Sequence, residues 1–130
     1  MTDRRVVITG LGAVTSAGVG ADALWDSLVA GESTVREITR FDASAYPSTV
    51  AGEVLDFSAR KFVPKDYRKA VKVMARDIEL AVGVADVTFR DSGIITRGVE
   101  GEVSLDLKRL GCNIGAGLIA CELDELASAA

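Results

Sequence analysis

The sequence predicts an α/β fold in which helices pack on a mixed, mainly parallel sheet. Short runs of β-branched residues that end at glycine alternate with segments of helical periodicity, and this alternation is typical of sheet and helix layers. Aromatic residues make up only 5% of the 130 residues, and the 13 glycines allow close packing between layers. Because 48% of the residues are apolar, the chain is expected to fold rather than stay disordered.

The first predicted element is a buried strand from Arg5 to Thr9, followed by a glycine-rich turn. The Gly10-x-Gly12 pair has two interpretations. It is typical of a tight turn that needs positive φ, and it also occurs in dinucleotide-binding loops. The dinucleotide loop requires a third small residue where Thr15 stands and a helix that starts close by, so the tight turn is preferred.

The first helix is predicted to run from a cap at Asp22 to Ala30 and to end at Gly31. Its apolar residues are expected on one face: Leu24, Trp25 and Leu28. The stretch from Glu32 to Thr49 is interpreted as an irregular loop, held to the core by two aromatic residues, Phe41 and Tyr46. Two short elements follow before Pro64: a strand from Val50 to Val54 and a helical turn from Ser58 to Phe62.

The strongest helical pattern lies between Asp66 and Asp91, with Ser92-Gly93 as its end. Apolar residues recur at spacings of three and four and predict one buried stripe: Tyr67, Val71, Met74, Ile78, Ala81 and Ala85. The stretch from Ile94 to Leu107 is interpreted as a surface loop. A second buried strand is predicted from Leu110 to Ile114, and a further helix from Leu118 to Ala129.

Composition excludes several classes of function. A net charge of -4 without a basic tail does not favour binding to nucleic acid, and no stretch reaches the roughly 20 apolar residues of a membrane span. The chain has no histidine, and its two cysteines form no CxxC motif, so no metal site and no cofactor are predicted. Cys112 and Cys121 are interpreted as small buried hydrophobic residues in a reduced, cytoplasmic setting.

A stripe of basic residues runs along the predicted long helix. At about 100° per residue, five of them fall within one arc of roughly 100°, nearly opposite the apolar stripe. They are Lys65, Arg68, Lys69, Lys72 and Arg76. The spacing alone leaves two interpretations open: an ordinary solvated face, or a docking surface for an acidic partner.

Four blocks in register carry a family resemblance: RRVVITGLGAVTSAGVG, LWDSLVAGES, RFDASAYPSTVAGEVLDF and FRDSG. From about Arg4 to Gly117 the chain resembles the N-terminal region of β-ketoacyl-[acyl-carrier-protein] synthases of the elongating type. The resemblance implies a partial thiolase-like half-domain. It also implies that residues 1–130 are the N-terminal part of a synthase domain, ending before the cysteine nucleophile of the family.

Enzymes of this family move an acyl chain from a carrier-protein thioester to a cysteine, then decarboxylate a malonyl thioester whose carbanion attacks the bound acyl group. The resemblance therefore implies a role in fatty-acid or polyketide synthesis. The implied partners are acyl carrier protein and acyl and malonyl thioesters, and the implied assembly is a homodimer. The catalytic cysteine and both histidines of the family lie downstream of the matched region, so no catalytic residue is assigned and the chain alone is expected to be inactive.

Two sets of site residues follow from the resemblance. Basic residues that hold the acidic carrier protein match Lys65, Arg68, Lys69 and Lys72, and positions that line the acyl pocket match Gly117 and Leu118. The sequence departs from the family at Ser16-Ala17, where many relatives have proline. It also departs after Gly117, where bulkier residues replace the usual glycines and leave the pocket size open.

Two alternative functions stay open at this point. One is a non-catalytic relative of the chain-length-factor type, which keeps the fold and the docking surface but has lost the nucleophile. The other is a small nucleotide-binding protein, which requires the first glycine turn to hold phosphate.

Overall fold

The computed structural model describes residues 4–96 and 101–117. Two α-helices, four short strands and four 3₁₀ turns make up its regular structure. The α-helices and strands are, in chain order, β1 Val14–Thr15, β2 Gly18–Val19, α1 Ala21–Ala30, β3 Arg36–Glu37, β4 Val50–Ala51 and α2 Arg76–Asp91. The 3₁₀ turns are Ala59–Lys61, Lys65–Tyr67, Ala70–Val73 and Leu107–Arg109. Helices and strands in alternation agree with the predicted α/β class.

The described strands form two antiparallel hairpin-like pairs. Strand β1 pairs with β2 in the register Val14 opposite Val19. Strand β3 pairs with β4 across a longer loop, with Arg36 opposite Ala51. Sequence analysis predicted β4 but not its partner, because Arg36–Glu37 is too short and polar to show a strand pattern.

The described residues do not form the predicted mainly parallel sheet. The predicted strand from Arg5 to Thr9 has no regular secondary structure and pairs with no other strand, and Val6 is 93% and Ile8 82% exposed. The predicted strand from Leu110 to Ile114 is also unpaired, and Ile114 is 66% exposed. A parallel strand requires hydrogen-bonded neighbours, and neither segment has one within the described part of the chain.

Helix α1 ends as predicted, at a left-handed Gly31 with φ 67°. Its start differs, because Gly20 is the N-cap and Asp22 lies in the first turn. A carboxylate there interacts favourably with the positive end of the helix dipole. The predicted apolar face is only partly covered, since Trp25 and Leu28 are each 65% exposed.

The long helix is shorter than predicted. It begins at Arg76 rather than Asp66, because Met74 and Ala75 have extended backbone with ψ 130° and 157°. Like charges at i,i+3 and i,i+4, such as Lys65 with Lys69, repel one another and oppose a helix dipole. The acidic residues Asp77 and Glu79 lie instead in the first turn of α2, where a helix start is favoured.

The break at Met74 also changes which face is buried. Val71 is 5% exposed, but Tyr67 and Ile78 of the predicted stripe are 65% and 47% exposed. Helix α2 instead turns Gly83 inward, and a different set of its residues contacts the N-terminal segment. Only three apolar residues of the described part of the chain are buried: Ala43, Ala59 and Val71.

The two aromatic residues of the long loop contact each other rather than the core. The rings of Phe41 and Tyr46 meet edge to face at 5.7 Å between centroids, and both remain more than half exposed. Within residues 4–96 and 101–117, neither α-helix combines the length and the apolar character that crossing a membrane demands.

Candidate functional site

The basic residues predicted for docking lie on an irregular segment between Pro64 and α2. Pro64 precedes the 3₁₀ turn Lys65–Tyr67, and the turn Ala70–Val73 follows it. We call four exposed side chains of this segment the basic surface: Lys65, Arg68, Lys69 and Lys72. No ion pair of the described residues includes any of the four. Their positive charge is therefore not neutralised by the described part of the molecule.

Buried residues hold this segment and the turn before it to the body of the protein. Val71 is buried between Ala70 and Lys72, and Ala59 is completely buried at the start of the preceding turn. The ring of Phe62 stacks on the ring of Phe57 with centroids 5.3 Å apart. Phe57 in turn lies so close to α2 that a Cβ on Gly83 would come within 2.5 Å of it. A glycine is required at this contact because any larger residue would collide with the ring.

Arg76 does not share a helical arc with the basic surface, contrary to the sequence prediction. Its guanidinium donates hydrogen bonds to the carbonyl oxygens of Val54 at 2.9 Å and Phe57 at 3.3 Å, and pairs with Glu79 at 2.8 Å. It also lies 5.2 Å from the centre of the Phe57 ring. The helix break at Met74 rotates Arg76 away from the preceding basic residues. Its spacing of three from Glu79 is the sequence signal that could have indicated this role.

The first glycines serve a different purpose from the one predicted. Gly10 and Gly12 do not have positive φ; that conformation belongs to Gly18 and Gly20. A Cβ on Gly10 would come within 2.5 Å of the Thr88 carbonyl oxygen and 2.7 Å of the Ser92 nitrogen. The two glycines therefore allow the N-terminal segment to lie directly on α2, and the Leu11 amide donates to Asp91 at 2.7 Å.

A cavity of about 410 Å³ lies between the two strand pairs. Its polar lining includes Ser16 and Thr34, whose hydroxyl groups are 2.6 Å apart. Glu53, also in the lining, accepts hydrogen bonds from the backbone amide and hydroxyl of Thr39 and from the Arg40 amide. The Thr39 bonds are the main cause that lowers the pKa of Glu53 from its usual value. The Glu53 carboxylate thus connects the segment after β4 to the loop between β3 and β4.

The acyl-pocket prediction is only partly within the described residues. Gly117 is exposed, and a Cβ added to it would meet no atom within 4 Å. Leu118 lies outside the described residues. Cys112 is exposed with a free thiol, so its interpretation as a buried residue is wrong. The segment Leu110–Ile114 pairs with no strand among the described residues, so nothing there covers the thiol of Cys112. Cys121 lies outside the described residues.

A metal site was not predicted, and the described residues include no group of three or more His, Cys, Asp or Glu side chains that could hold a metal ion. The chain has no histidine at all. Near the basic surface, the described residues show no pairing of a nucleophile with a base.

Comparisons with known proteins relate these features to one family. Residues 3–127 match the family model described as the β-ketoacyl synthase N-terminal domain. The chain is 36% identical over 119 residues to 3-oxoacyl-[acyl-carrier-protein] synthase 2 of Coxiella burnetii, covering 91% of this chain and 26% of that protein. It is 35% identical over 117 residues to the tetracenomycin polyketide synthase ketoacyl synthase alpha subunit of Streptomyces glaucescens, covering 89% of this chain and 25% of that protein.

A solved structure agrees with the sequence matches. The ishigamide ketosynthase/chain length factor superposes with a TM-score of 0.58 at 36% identity, covering 71% of this chain and 22% of that chain. The chain spans about a quarter of the length of the curated relatives it matches. Both a 3-oxoacyl-[acyl-carrier-protein] synthase and a polyketide ketoacyl synthase are among these relatives.

Proposed function

Because the chain belongs to the β-ketoacyl synthase family through its N-terminal domain, we propose that it forms part of a synthase that condenses acyl and malonyl thioesters. The proposed reaction releases CO₂ from the malonyl thioester and joins its carbanion to the acyl group, in fatty-acid or polyketide synthesis. Cys112, the free thiol of the described residues, does not match the cysteine nucleophile of the family. The proposed contribution of the described residues is a scaffold and a docking surface for acyl carrier protein.

The observation that supports docking is the exposed, unneutralised charge of the basic surface. Lys65, Arg68, Lys69 and Lys72 are exposed, and none forms an ion pair within the described part of the chain. These are the residues that match the carrier-protein docking positions of the family. A surface of one sign attracts a partner of the opposite sign and raises the rate of encounter. We assign the acidic carrier protein as that partner.

Charge reversal tests the docking role. In the full gene product, K69E/K72E is expected to weaken binding of a holo bacterial acyl carrier protein about tenfold at roughly 0.1 M salt. At about 1 M salt the difference should nearly vanish, because charges are then screened over about 3 Å. The matched control is K108E/R109E, which makes the same change of charge on the 3₁₀ turn Leu107–Arg109. Equal affinity of K69E/K72E and wild type at low salt would refute the docking role.

We further propose that the mainly parallel, thiolase-like sheet is completed around the two unpaired segments. The exposed apolar residues of Arg5–Thr9 and Leu110–Ile114 support this, since such residues are stabilised when neighbouring strands and helices cover them. Residues 1–130 then form the N-terminal part of the synthase domain. Gly117 and Leu118 are proposed to line the acyl pocket of the completed domain, and a homodimer in the cytoplasm is the proposed state.

A second function, a non-catalytic subunit of the chain-length-factor type, is favoured by one observation. The solved structure that the chain matches is described as a ketosynthase/chain length factor, and that description includes a subunit of this type. Labelling the full gene product with a thiol reagent before and after acylation separates the two. A synthase acquires one acyl thioester that blocks labelling of its nucleophile, whereas a non-catalytic subunit acquires none.

A further inference from the structure

The positive charge near the docking segment extends beyond the four residues of the basic surface. Arg60 and Lys61 end the 3₁₀ turn Ala59–Lys61, and both are exposed. From residue 60 to residue 72 the chain has six basic residues and one acidic residue, Asp66. Neither Arg60 nor Lys61 forms an ion pair within the described residues.

The burial pattern leaves these charged side chains facing solvent. Ala59 and Val71, near its two ends, are 0% and 5% exposed. Phe62 and Val63 between them are half-buried, and Phe62 stacks on Phe57 against α2. Because the apolar side chains occupy the side that faces the protein, the exposed basic side chains occupy the side that faces solvent.

An uncovered aromatic residue lies among these charges. Tyr67 is 65% exposed, between Lys65 and Arg68 in sequence, and Val73 at the end of the next turn is 85% exposed. Tyrosine and arginine are enriched among the residues that dominate binding energy, and tyrosine loses little side-chain entropy when it is covered. An apolar contact surrounded by charged residues is the usual arrangement of a specific protein interface.

We propose that the docking surface extends to Arg60 and Lys61 and uses Tyr67 as its apolar contact. The partner face that fits it has an apolar patch with acidic residues around it. This inference rests on the proposed function, and it adds a specificity contact that the four basic residues alone do not supply. Charge then governs the rate of encounter, and Tyr67 governs how long the complex lasts.

The charge extension is tested with R60E/K61E in the full gene product. We expect binding of a holo bacterial acyl carrier protein to weaken about three- to tenfold at roughly 0.1 M salt, with recovery at about 1 M. K108E/R109E is the matched control, since it reverses one lysine and one arginine on another 3₁₀ turn. If K69E/K72E weakens binding and R60E/K61E does not, the extension is wrong but the proposed function stands. If neither pair weakens binding, the proposed docking function itself fails.

The apolar contact is tested with Tyr67→Ser. The expected result is a roughly tenfold faster dissociation that persists at about 1 M salt, because an apolar contact is not screened. Tyr67→Phe keeps the ring and should retain most of the binding, which excludes a folding defect as the cause. Tyr46→Ser is the control, since Tyr46 is 60% exposed on the long loop. Wild-type dissociation of Tyr67→Ser would overturn the assignment of Tyr67.

Discussion

Replacing Gly10 with alanine tests how the N-terminal segment is held on α2. The new Cβ would lie 2.5 Å from the Thr88 carbonyl oxygen and 2.7 Å from the Ser92 nitrogen, whereas ordinary contacts are 3.4–4 Å. Both atoms belong to the backbone, so no side-chain rotation relieves the collision. The segment must therefore move away from the helix by about 1 Å, which is the gap between these distances.

The magnitude follows from two contributions. Overpacking of this kind costs about 1–3 kcal/mol. The displacement also weakens the bond from the Leu11 amide to the Asp91 carboxylate, which contributes about 1 kcal/mol at an exposed site. Gly10→Ala is thus expected to destabilise the protein by about 2–4 kcal/mol, a large part of an ordinary folding free energy of about 5–15 kcal/mol.

Thermal unfolding of the full gene product, together with hydrogen exchange of the Leu11 amide, measures the effect. We expect a lower Tm and faster exchange at Leu11, because local opening raises the exchange rate. Glu32→Ala is the control: its side chain is exposed and no ion pair or side-chain hydrogen bond of the described residues includes it, so stability should change little. A Gly10→Ala variant as stable as Glu32→Ala would refute the close-packing explanation.

Two further predictions concern the polar contacts. Arg76→Met should lower the free energy of unfolding by about 1–3 kcal/mol, because two hydrogen bonds to carbonyl oxygens and an ion pair are lost. The affinity for carrier protein should stay unchanged. A salt-sensitive loss of affinity would show that Arg76 contributes to docking. The usual pKa of glutamate is 4.5, and folding lowers the pKa of Glu53 below it. The ionised carboxylate therefore stabilises the fold above about pH 4.5, and this stabilisation is lost as the pH falls through the pKa of the folded state. Glu53→Gln should therefore be less stable than wild type at neutral pH, and the two Tm values should converge in acid; a constant difference in Tm at all pH values would contradict this.

Sequence patterns predicted the elements that depend on residues close together in the sequence. The end of α1 at Gly31 follows from the freedom of glycine to adopt positive φ, and the 3₁₀ turn Ala59–Lys61 lies within the predicted turn from Ser58 to Phe62. The end of α1 and the turn Ala59–Lys61 depend on neighbours within a few positions along the chain. The four residues of the basic surface are exposed, but they lie on 3₁₀ turns rather than on the predicted helix, and their docking role stays a prediction.

Features that depend on distant contacts were missed or misassigned. The role of Gly10 depends on Thr88, nearly eighty positions away, and periodicity contains no information about that contact. Arg76 fitted a helical stripe because the extended backbone at Met74 was not predicted. The predicted strands at Arg5–Thr9 and Leu110–Ile114 followed from β-branched composition, but pairing requires a neighbour that composition does not supply.

The contacts of Arg76 with Val54, Phe57 and Glu79 have a consequence for how the sequence can evolve. Helix α2 starts at Arg76, so its position does not depend on the turns that precede it. Apart from Ala59 and Val71, which are buried, the side chains of those turns are exposed, and mutations of the exposed ones cost the fold little. Preference for one partner over another can drift there while the scaffold stays intact.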